Sequence, residues 1–397
     1  MASAPDVLIV GGGVIGCAVA YELAGHGLRV RLLERGGLCS GASGANGALI
    51  WPQAMKRGIG LDLSLLNFHR FPTLGEELGT DIGYDRSGGM VAVTDDAQWT
   101  RMEEYVGVQR EVGLPAELLD IAEARRREPA LNPRLRGALY AEHGGQINPF
   151  RLTLGYARAA RARGAVLTPG LEVTQLLRRG DGVVGARTPY GDIEAGHVVL
   201  AAGSWSPTLA ATAGVRIPVV PRQGMMVVTE AAPFRIRHVL KPIKADADIW
   251  QFSQPWPPDG AGKPGYDPNL PPGKGMALGQ TPTGNFLMGS TSRFVGLDLA
   301  PTADGVRYML AHALQVVPAL ARVRVVRTWA GLRPYTPDGL PLLGRAPGVD
   351  GLILATGHDG GGVGNGPVSA QLVCSVITKC EPPMPLAPFD PARPGAS

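Results

Sequence analysis

Two short apolar runs near the N-terminus, separated by an alanine-rich stretch, predict a strand–helix–strand unit over residues 5–35. The runs cover residues 7–10 and 29–33, and each has the length of a strand buried in a sheet. A glycine-rich segment, residues 11–16, lies between the first run and the helix. Two parallel strands joined by a helix are therefore expected at this end of the chain.

The spacing of apolar and polar positions predicts further elements along the rest of the chain. Helices are expected over residues 61–78, 95–113, 150–164 and 303–317. Strands are expected within residues 88–93, 165–201, 219–229, 323–326 and 352–355. A glycine-rich turn at residues 357–364 follows the last strand, and Pro367 is expected at the first position of the final helix.

Residues 250–275 fit none of these patterns. Seven prolines and five glycines fall between residues 255 and 275, a density that excludes regular structure. The insert is therefore expected to be a loop that serves as a lid, as a contact for a partner, or only as surface.

The composition is that of a globular protein with two or three domains. Of its 397 residues 45% are hydrophobic and 18% are charged, and the net charge of +4 is spread along the chain, so nucleic acid binding is not indicated. No secretory signal is expected from the first residues, and no apolar run reaches the roughly 18 residues that a membrane span needs. Four cysteines lack metal-site spacing, which favours reduced thiols in the cytoplasm and no metal: Cys17, Cys39, Cys374 and Cys380.

The glycine-rich segment carries the main chemical signal. Gly11, Gly13 and Gly16 have the spacing that lets a backbone turn tightly and approach a pyrophosphate at the positive end of the following helix. Glu34 ends the second strand, where a carboxylate can accept hydrogen bonds from the hydroxyls of a ribose. An acid there repels a 2′-phosphate. The unit therefore predicts a dinucleotide site in which NADP is the least suitable ligand.

After this unit the chain does not continue as a nicotinamide-binding fold, and four blocks resemble a known flavoprotein family. They are residues 7–34, residues 41–47, residues 198–206, and residues 328–345 together with 357–364. In this order they are similar to the FAD-dependent D-amino acid oxidase superfamily, in its branch with glycine oxidase, sarcosine oxidase and the D-amino acid dehydrogenases.

The resemblance implies an α/β fold in which a Rossmann-like FAD-binding domain is interleaved with an antiparallel-sheet substrate domain. The FAD-binding domain would comprise residues 1–85, 145–218 and 325–397. The substrate-binding domain would comprise residues 86–144 and 219–324, with the insert 250–275.

It also implies that FAD is bound without a covalent link, because no clear counterpart of the family's attachment residue occurs and Cys39 would lie near the pyrophosphate. Val173 would offer backbone atoms to adenine, although plain core packing is an alternative. The residues expected to bind the cofactor are Gly11, Gly13, Val14, Ile15, Gly16, Glu34, Arg35, Ser43, Gly44, Ala45, Asn46, Gly47, Val173, Ala202, Gly203, Trp205, Gly357, Gly360, Gly361, Gly362, Val363 and Gly364.

Two residues are expected at the substrate. Arg333 would lie above the flavin and bind an α-carboxylate through its two-pronged guanidinium; the alternative is a structural salt bridge. His358 would lie beside the flavin, either as a catalytic residue or as the cap of a turn. Tyr335 and Asp338 are interpreted as loop geometry.

The implied reaction is oxidation of an amino acid or secondary amine (glycine, sarcosine, a D-amino acid or a proline-like compound) by hydride transfer from the carbon bearing nitrogen to flavin N5. The resulting imine hydrolyses, and no side-chain base is required. A dehydrogenase subunit is favoured because residues 357–366 are richer in glycine than expected of the simple oxidases. An O2-using oxidase and a non-catalytic flavin scaffold remain alternatives.

The electron acceptor would be O2, a quinone or a partner subunit. A partner would form a hetero-oligomer through the insert 250–275. The expected location is the cytoplasm, with the inner face of the membrane as an alternative.

Overall fold

A computed structural model describes residues 4–52, 58–242 and 276–394. The insert 250–275 lies outside the described residues, so its expected role as a lid, partner contact or surface loop stays a prediction. Among the described residues, no helix combines the length and hydropathy needed to cross a bilayer.

Helices and strands alternate near both ends of the chain, and strands predominate between them. The described strands are β1 (Val7–Val10), β2 (Val30–Glu34), β3 (Leu49–Ile50), β4 (Gly89–Val93), β5 (Ala116–Asp120), β6 (Gly137–Ala141), β7 (Gly145–Gln146), β8 (Val166–Pro169), β9 (Gln175–Arg179), β10 (Gly182–Thr188), β11 (Gly191–Glu194), β12 (His197–Leu200), β13 (Val220–Ala231), β14 (Val239–Pro242), β15 (Ala277–Gln280), β16 (Asn285–Gly289), β17 (Val325–Tyr335), β18 (Leu342–Arg345) and β19 (Leu352–Thr356). The described α-helices are α1 (Val14–Gly25), α2 (Ile59–Glu77), α3 (Asp96–Glu111), α4 (Ile121–Arg127), α5 (Pro149–Ala162), α6 (Ser206–Thr212), α7 (Ala303–Val316) and α8 (Gly362–Thr378).

A six-stranded sheet organises the first and last parts of the chain, in the order β18-β19-β12-β1-β2-β8. All its neighbours are parallel except β18, which runs antiparallel to β19 at one edge. Val10 pairs with Leu33 on one side and Leu200 on the other, so these strands end at the same edge. Ligands of open parallel sheets bind at this carboxyl edge.

Both faces of this sheet are covered, as a parallel sheet requires. Helices α1, α2, α5 and α8 form one apolar core with it. The antiparallel sheet β11-β10-β9 and helix α6 form the other. Helix α5 begins where the Asn148 side chain accepts hydrogen bonds from the Phe150 and Arg151 N–H groups, and the chain leaves it through Gly164 at φ +92°.

A second, eight-stranded sheet has the order β17-β13-β16-β15-β14-β4-β6-β5. Its neighbours are antiparallel except for the pair β14 and β4. This confirms the predicted fold class, a Rossmann-like parallel sheet interleaved with an antiparallel one. Strand β17 is longer than the expected strand at 323–326 and pairs with β13 rather than with the parallel sheet. The predicted domain boundaries stay a prediction.

The final helix begins earlier than expected, so the prediction of Pro367 at its first position was wrong. Helix α8 starts at Gly362 and holds Pro367 in its interior. The Val368 N–H donates to the Asn67 side chain of α2 at 2.9 Å, which replaces a helical bond beside the proline. Helix α8 packs on α1 at Gly366, where a Cβ would make ordinary contact with Val14 and Ile15 at 3.5 Å. Packing, rather than local propensity, therefore extends the helix through its glycines.

Candidate active site

A cavity of about 720 Å³ opens at the carboxyl edge of the parallel sheet and reaches the face of β13 and β17. The ends of β1, β2, β12 and β19 line it, and helices α1 and α8 both begin at its wall. The expected site residues that line it are Gly11, Gly13, Val14, Ile15, Glu34, Arg35, Ser43, Ala45, Asn46, Gly47, Val173, Ala202, Gly203, Trp205, Arg333, His358, Gly360, Gly362 and Val363. The expected residues that do not line it are Gly16, Gly44, Gly357, Gly361 and Gly364.

The first turn of the cavity wall needs glycine at two positions. Gly11 has φ +115°, and a Cβ there would lie 2.4 Å from the Ala201 carbonyl oxygen. A Cβ on Gly16 would lie 1.9 Å from the Gly11 oxygen, so this residue allows α1 to pack against the turn without reaching the cavity itself. The Val14 N–H donates to the Ser43 hydroxyl at 3.0 Å. Backbone without obstructing side chains therefore lies next to the N-terminus of α1, and this arrangement fits the pyrophosphate of FAD.

Glu34 is held at the end of β2 by backbone donors. One carboxylate oxygen accepts from the Gly12 N–H at 2.7 Å and the other from the Gly36 N–H at 2.8 Å. Each oxygen can accept a second hydrogen bond, so the group fits the ribose hydroxyls of FAD. Beside it, the Arg35 guanidinium lies 4.1 Å from the centre of the Trp205 ring, and both side chains line the cavity.

Val173 lies in the core and at the cavity wall, and its contact with adenine stays a prediction. It is 7% exposed and belongs to the core under the small antiparallel sheet, and it also lines the cavity.

The small-residue loop 41–47 is fixed by one of its own side chains. The Asn46 amide donates to the Ala42 and Ser43 carbonyls at 3.2 and 2.6 Å, and its oxygen accepts from the Ala48 N–H. Strand β17 lies directly against this loop, because a Cβ on Gly331 would be 2.6 Å from the Ala45 Cβ. The loop therefore joins the cofactor side of the cavity to the strand that carries Arg333.

Three of the expected glycines beside His358 shape the wall from behind or at its end. Gly357 turns the chain at φ +82°, where a Cβ would lie 2.6 Å from the Thr336 methyl group. Gly361 precedes α8 and Gly364 lies in its first turn. In the loop 41–47, Gly44 packs on Phe150 instead of facing the cavity. Of the glycines in residues 357–364, only Gly360 and Gly362 line the cavity directly.

His358 lies at the cavity wall as a neutral imidazole. It is 7% exposed, its Nε2 has no hydrogen-bond partner among the described residues, and its side chain caps no helix or turn there. Burial lowers the pKa of His358 from 6.5 to about 3.

This burial predicts an acid sensitivity of the fold. The unfolded chain binds a proton at His358 below about pH 6.5 and the folded chain does not, so stability falls as the pH decreases. Between pH 6.5 and 5 the loss from this one group is about 2 kcal/mol. Urea unfolding of the apoprotein at pH 6.5 and pH 5 gives the free energy of unfolding at each pH. This free energy should decrease less between the two pH values in His358→Gln than in the wild type, by the contribution of His358. An equal pH dependence in both proteins would contradict the assignment.

Arg333 lies in β17 with its guanidinium in the cavity. Nη2 donates to the Ser290 hydroxyl and, at 3.0 Å, to the Thr291 carbonyl. Burial, and next the nearby Arg222, lower the pKa of Arg333 to about 10, while Asp359 acts in the opposite direction. No carboxylate of the described residues lies within salt-bridge distance of it, so the alternative of a structural salt bridge finds no support here. A half-buried guanidinium with hydroxyl and carbonyl partners can bind a carboxylate.

The structure adds wall residues that the sequence did not indicate. Arg222 lies directly opposite Arg333 in the pairing of β13 with β17, and its Nη2 forms an ion pair with Asp359. Gly224 and Met226 follow on the same face by strand alternation. The sequence of residues 219–229 predicts a strand whose alternate side chains share a face. It does not predict which face lines the cavity, because that depends on the pairing of β13 with β17.

Neither Tyr335 nor Asp338 lines the cavity. Asp338 lies in a turn, as expected, but Tyr335 is the last residue of β17, so its interpretation as part of a loop was wrong. The Tyr335 ring contacts Phe294, and Asp338 forms a buried ion pair with Arg393. No group of three metal-binding side chains occurs in the described ranges. The four cysteines form no disulfide there, and three of them are buried.

Comparison with known proteins agrees with this geometry. Residues 6–376 match the family described as DAO, FAD dependent oxidoreductase. The chain is 33% identical to a glycine oxidase of Pseudomonas aeruginosa over 97% of this chain and 98% of that protein. It is 30% identical to the hydrogen cyanide synthase subunit HcnC of the same species, over 98% of this chain and 96% of that protein. The crystal structure of glycine oxidase from Geobacillus kaustophilus superposes with a TM-score of 0.85 at 30% identity, covering 98% of this chain and 99% of that one.

These findings confirm the resemblance that the four sequence blocks indicated, and with it the expectation of an oxidoreductase that uses FAD. The chain belongs to the DAO family of FAD-dependent oxidoreductases.

Proposed function

We propose that the protein oxidises a small amino acid or secondary amine at the carbon that bears nitrogen. The observation that carries this proposal is Arg333, a half-buried guanidinium without a carboxylate partner in the described part of the chain, in the same cavity as Gly11 and Glu34. Similarity to proteins named glycine oxidase over nearly the whole chain supports the substrate class. Glycine, sarcosine, D-amino acids and proline-like compounds are the candidates.

Arg333 would bind the substrate carboxylate and orient the carbon that is oxidised. Its Nη2 is held by the Ser290 hydroxyl and the Thr291 carbonyl, so the charged group is positioned before substrate arrives. FAD supplies the acceptor for the hydride that leaves this carbon. The buried wall excludes water around the ion pair, which strengthens it.

The test is an anaerobic screen of D- and L-amino acids, N-methylglycine, proline derivatives and N-carboxyalkyl amino acids. Flavin absorbance reports reduction directly, without any assumption about the acceptor. At least one compound should bleach the wild-type protein. If none does, the proposed chemistry is wrong and the non-catalytic scaffold takes its place.

For the acceptor we favour a dehydrogenase that passes electrons to a quinone or a partner subunit rather than to O2. The glycine-rich turn 357–366 and the similarity to HcnC, itself named a subunit, support this choice. Stopped-flow mixing of the reduced protein with oxygenated buffer tests it. Slow reoxidation is expected, and reoxidation within seconds would indicate an oxidase.

We further propose that FAD is bound without a covalent link, because no cysteine of the described residues lines the cavity. Acid precipitation of the purified protein should release the yellow chromophore into the supernatant. A yellow pellet would contradict non-covalent binding.

Gly224→Ala is expected to impair substrate binding while FAD remains bound. An alanine Cβ would lie 2.1 Å from Arg333 Nη2, so the guanidinium must leave its position between Ser290 and Thr291. We expect kcat/KM to fall roughly 10- to 100-fold with an unchanged flavin spectrum. Gly107→Ala, at an exposed helical position with no neighbour within 4 Å, is the matched control. A Gly224→Ala protein with wild-type kinetics would show that the position of Arg333 does not matter.

A further inference from the structure

We propose that Asp359 binds the amino group of the substrate, so that Asp359 and Arg333 together recognise the two charges of an amino acid. This inference rests on the proposed function and adds a residue to it. The two side chains come from distant parts of the chain, the turn before α8 and strand β17, and both line the cavity.

One oxygen of Asp359 is available for this role. Oδ2 forms the ion pair with Arg222 Nη2, while Oδ1 is buried and has no hydrogen-bond partner among the described residues. A buried carboxylate oxygen without a donor is costly, and a ligand N–H at this point would remove the cost. Asp359 has φ +46° and begins the short turn that connects His358 to α8.

The balance of charge in the cavity points to the same ligand. Arg222 and Arg333 are direct cross-strand partners, roughly 5 Å apart at their Cα atoms. Asp359 is the carboxylate that interacts with both of them. Among these three side chains, two guanidinium groups and one carboxylate leave one net positive charge for the carboxylate of a substrate. Without Asp359, the ammonium group of that substrate would face two arginines and be repelled.

A purely structural role is the competing explanation, in which Asp359 only holds Arg222 in place. The two roles differ in what they predict for ligands that lack nitrogen. A structural residue affects every ligand of the cavity, whereas a residue that binds the amino group affects only ligands that carry one.

The test compares two ligands with one carbon skeleton on the FAD-loaded protein. The first is the amino acid that reduces the wild-type flavin, and its apparent Kd comes from the concentration dependence of anaerobic reduction. The second is the matching acid without nitrogen (acetate for glycine, propionate for alanine, cyclopentanecarboxylate for proline), titrated by the change in flavin absorbance.

Asp359→Asn keeps the volume of the side chain and tolerates the positive φ. We expect the apparent Kd for the amino acid to rise roughly 10- to 100-fold, since the hydrogen bond to a charged group is lost. The Kd for the nitrogen-free acid should stay within about threefold or decrease, because a negative charge has left the cavity. Asp359→Gly, which removes the side chain and relieves the backbone, should show the same selective loss.

Asp192→Asn is the matched control, because Asp192 forms an equivalent ion pair with Arg187 on the exposed face of the small sheet. It should leave both constants unchanged. Equal losses for both ligands in the Asp359 variants, or no loss for either, would overturn the proposal. The proposed function fails separately, when no amino acid reduces the wild-type flavin at all.

Discussion

Arg333→Gln is expected to lower kcat/KM for amino acid substrates roughly 100-fold, mostly through a weaker apparent Kd. The variant leaves the substrate carboxylate in a buried cavity, where Arg222 is already paired with Asp359. Glutamine retains hydrogen bonding without the charge. The measurement is the concentration dependence of anaerobic flavin reduction, compared with the wild type.

Two further variants separate charge from geometry. Arg333→Lys keeps the charge but offers a single ammonium in place of the planar fork, so an intermediate loss is expected. Arg187→Gln removes an exposed arginine from a surface ion pair and should change nothing. If Arg333→Gln binds carboxylate ligands as tightly as the wild type, the assignment of Arg333 is wrong.

Gly11→Ala is expected to abolish stable FAD binding, with a loss of affinity of roughly 100-fold or more. Two independent effects combine here. Alanine is strained at φ +115°, and its Cβ would lie 2.4 Å from the Ala201 carbonyl oxygen, so the strands beneath the pyrophosphate must separate. Purified variant protein should be nearly colourless, and titration with FAD should give the affinity directly.

Gly27→Ala controls for the strain alone. Gly27 lies in the same βαβ unit at φ +78°, but nothing lies within 4 Å of a Cβ there. This variant should lose about 1 kcal/mol of stability and stay yellow. A yellow Gly11→Ala protein, or a colourless Gly27→Ala protein, would show that close approach at Gly11 is not what the cofactor needs.

The cofactor half of the cavity could be predicted from the sequence because its residues are close neighbours along the chain. Gly11, Gly13 and Glu34 belong to one strand–helix–strand unit whose period and length are visible in the apolar pattern. The buried run before Ala202 and the turn at 357–364 could be placed in the same way. All of them lie where parallel strands end, a position that topology alone determines.

The substrate half depends on pairing between strands that are far apart in sequence. Arg222 and Gly224 meet the cavity only because β13 pairs with β17 in one register, and a shift by one residue would turn both away. No local pattern encodes this register. The sequence did not predict where α8 begins for a related reason. The composition of Gly362–Gly366 is typical of a turn, and only the contacts with Asn67 and α1 favour a helix there.

The order of the parallel sheet has a consequence for how the protein matures on the ribosome. Its central strand β1 is made first, yet its neighbour β12 emerges after nearly half of the chain, and β19 much later still. Strand β2 can pair with one edge of β1 early, but the other edge of β1 stays without its partner until about half of the chain has been made, a condition that slows folding and invites aggregation. Because the end of β19 and the start of α8 line the cavity, we expect the flavin to be captured only after the C-terminal segment has left the exit tunnel.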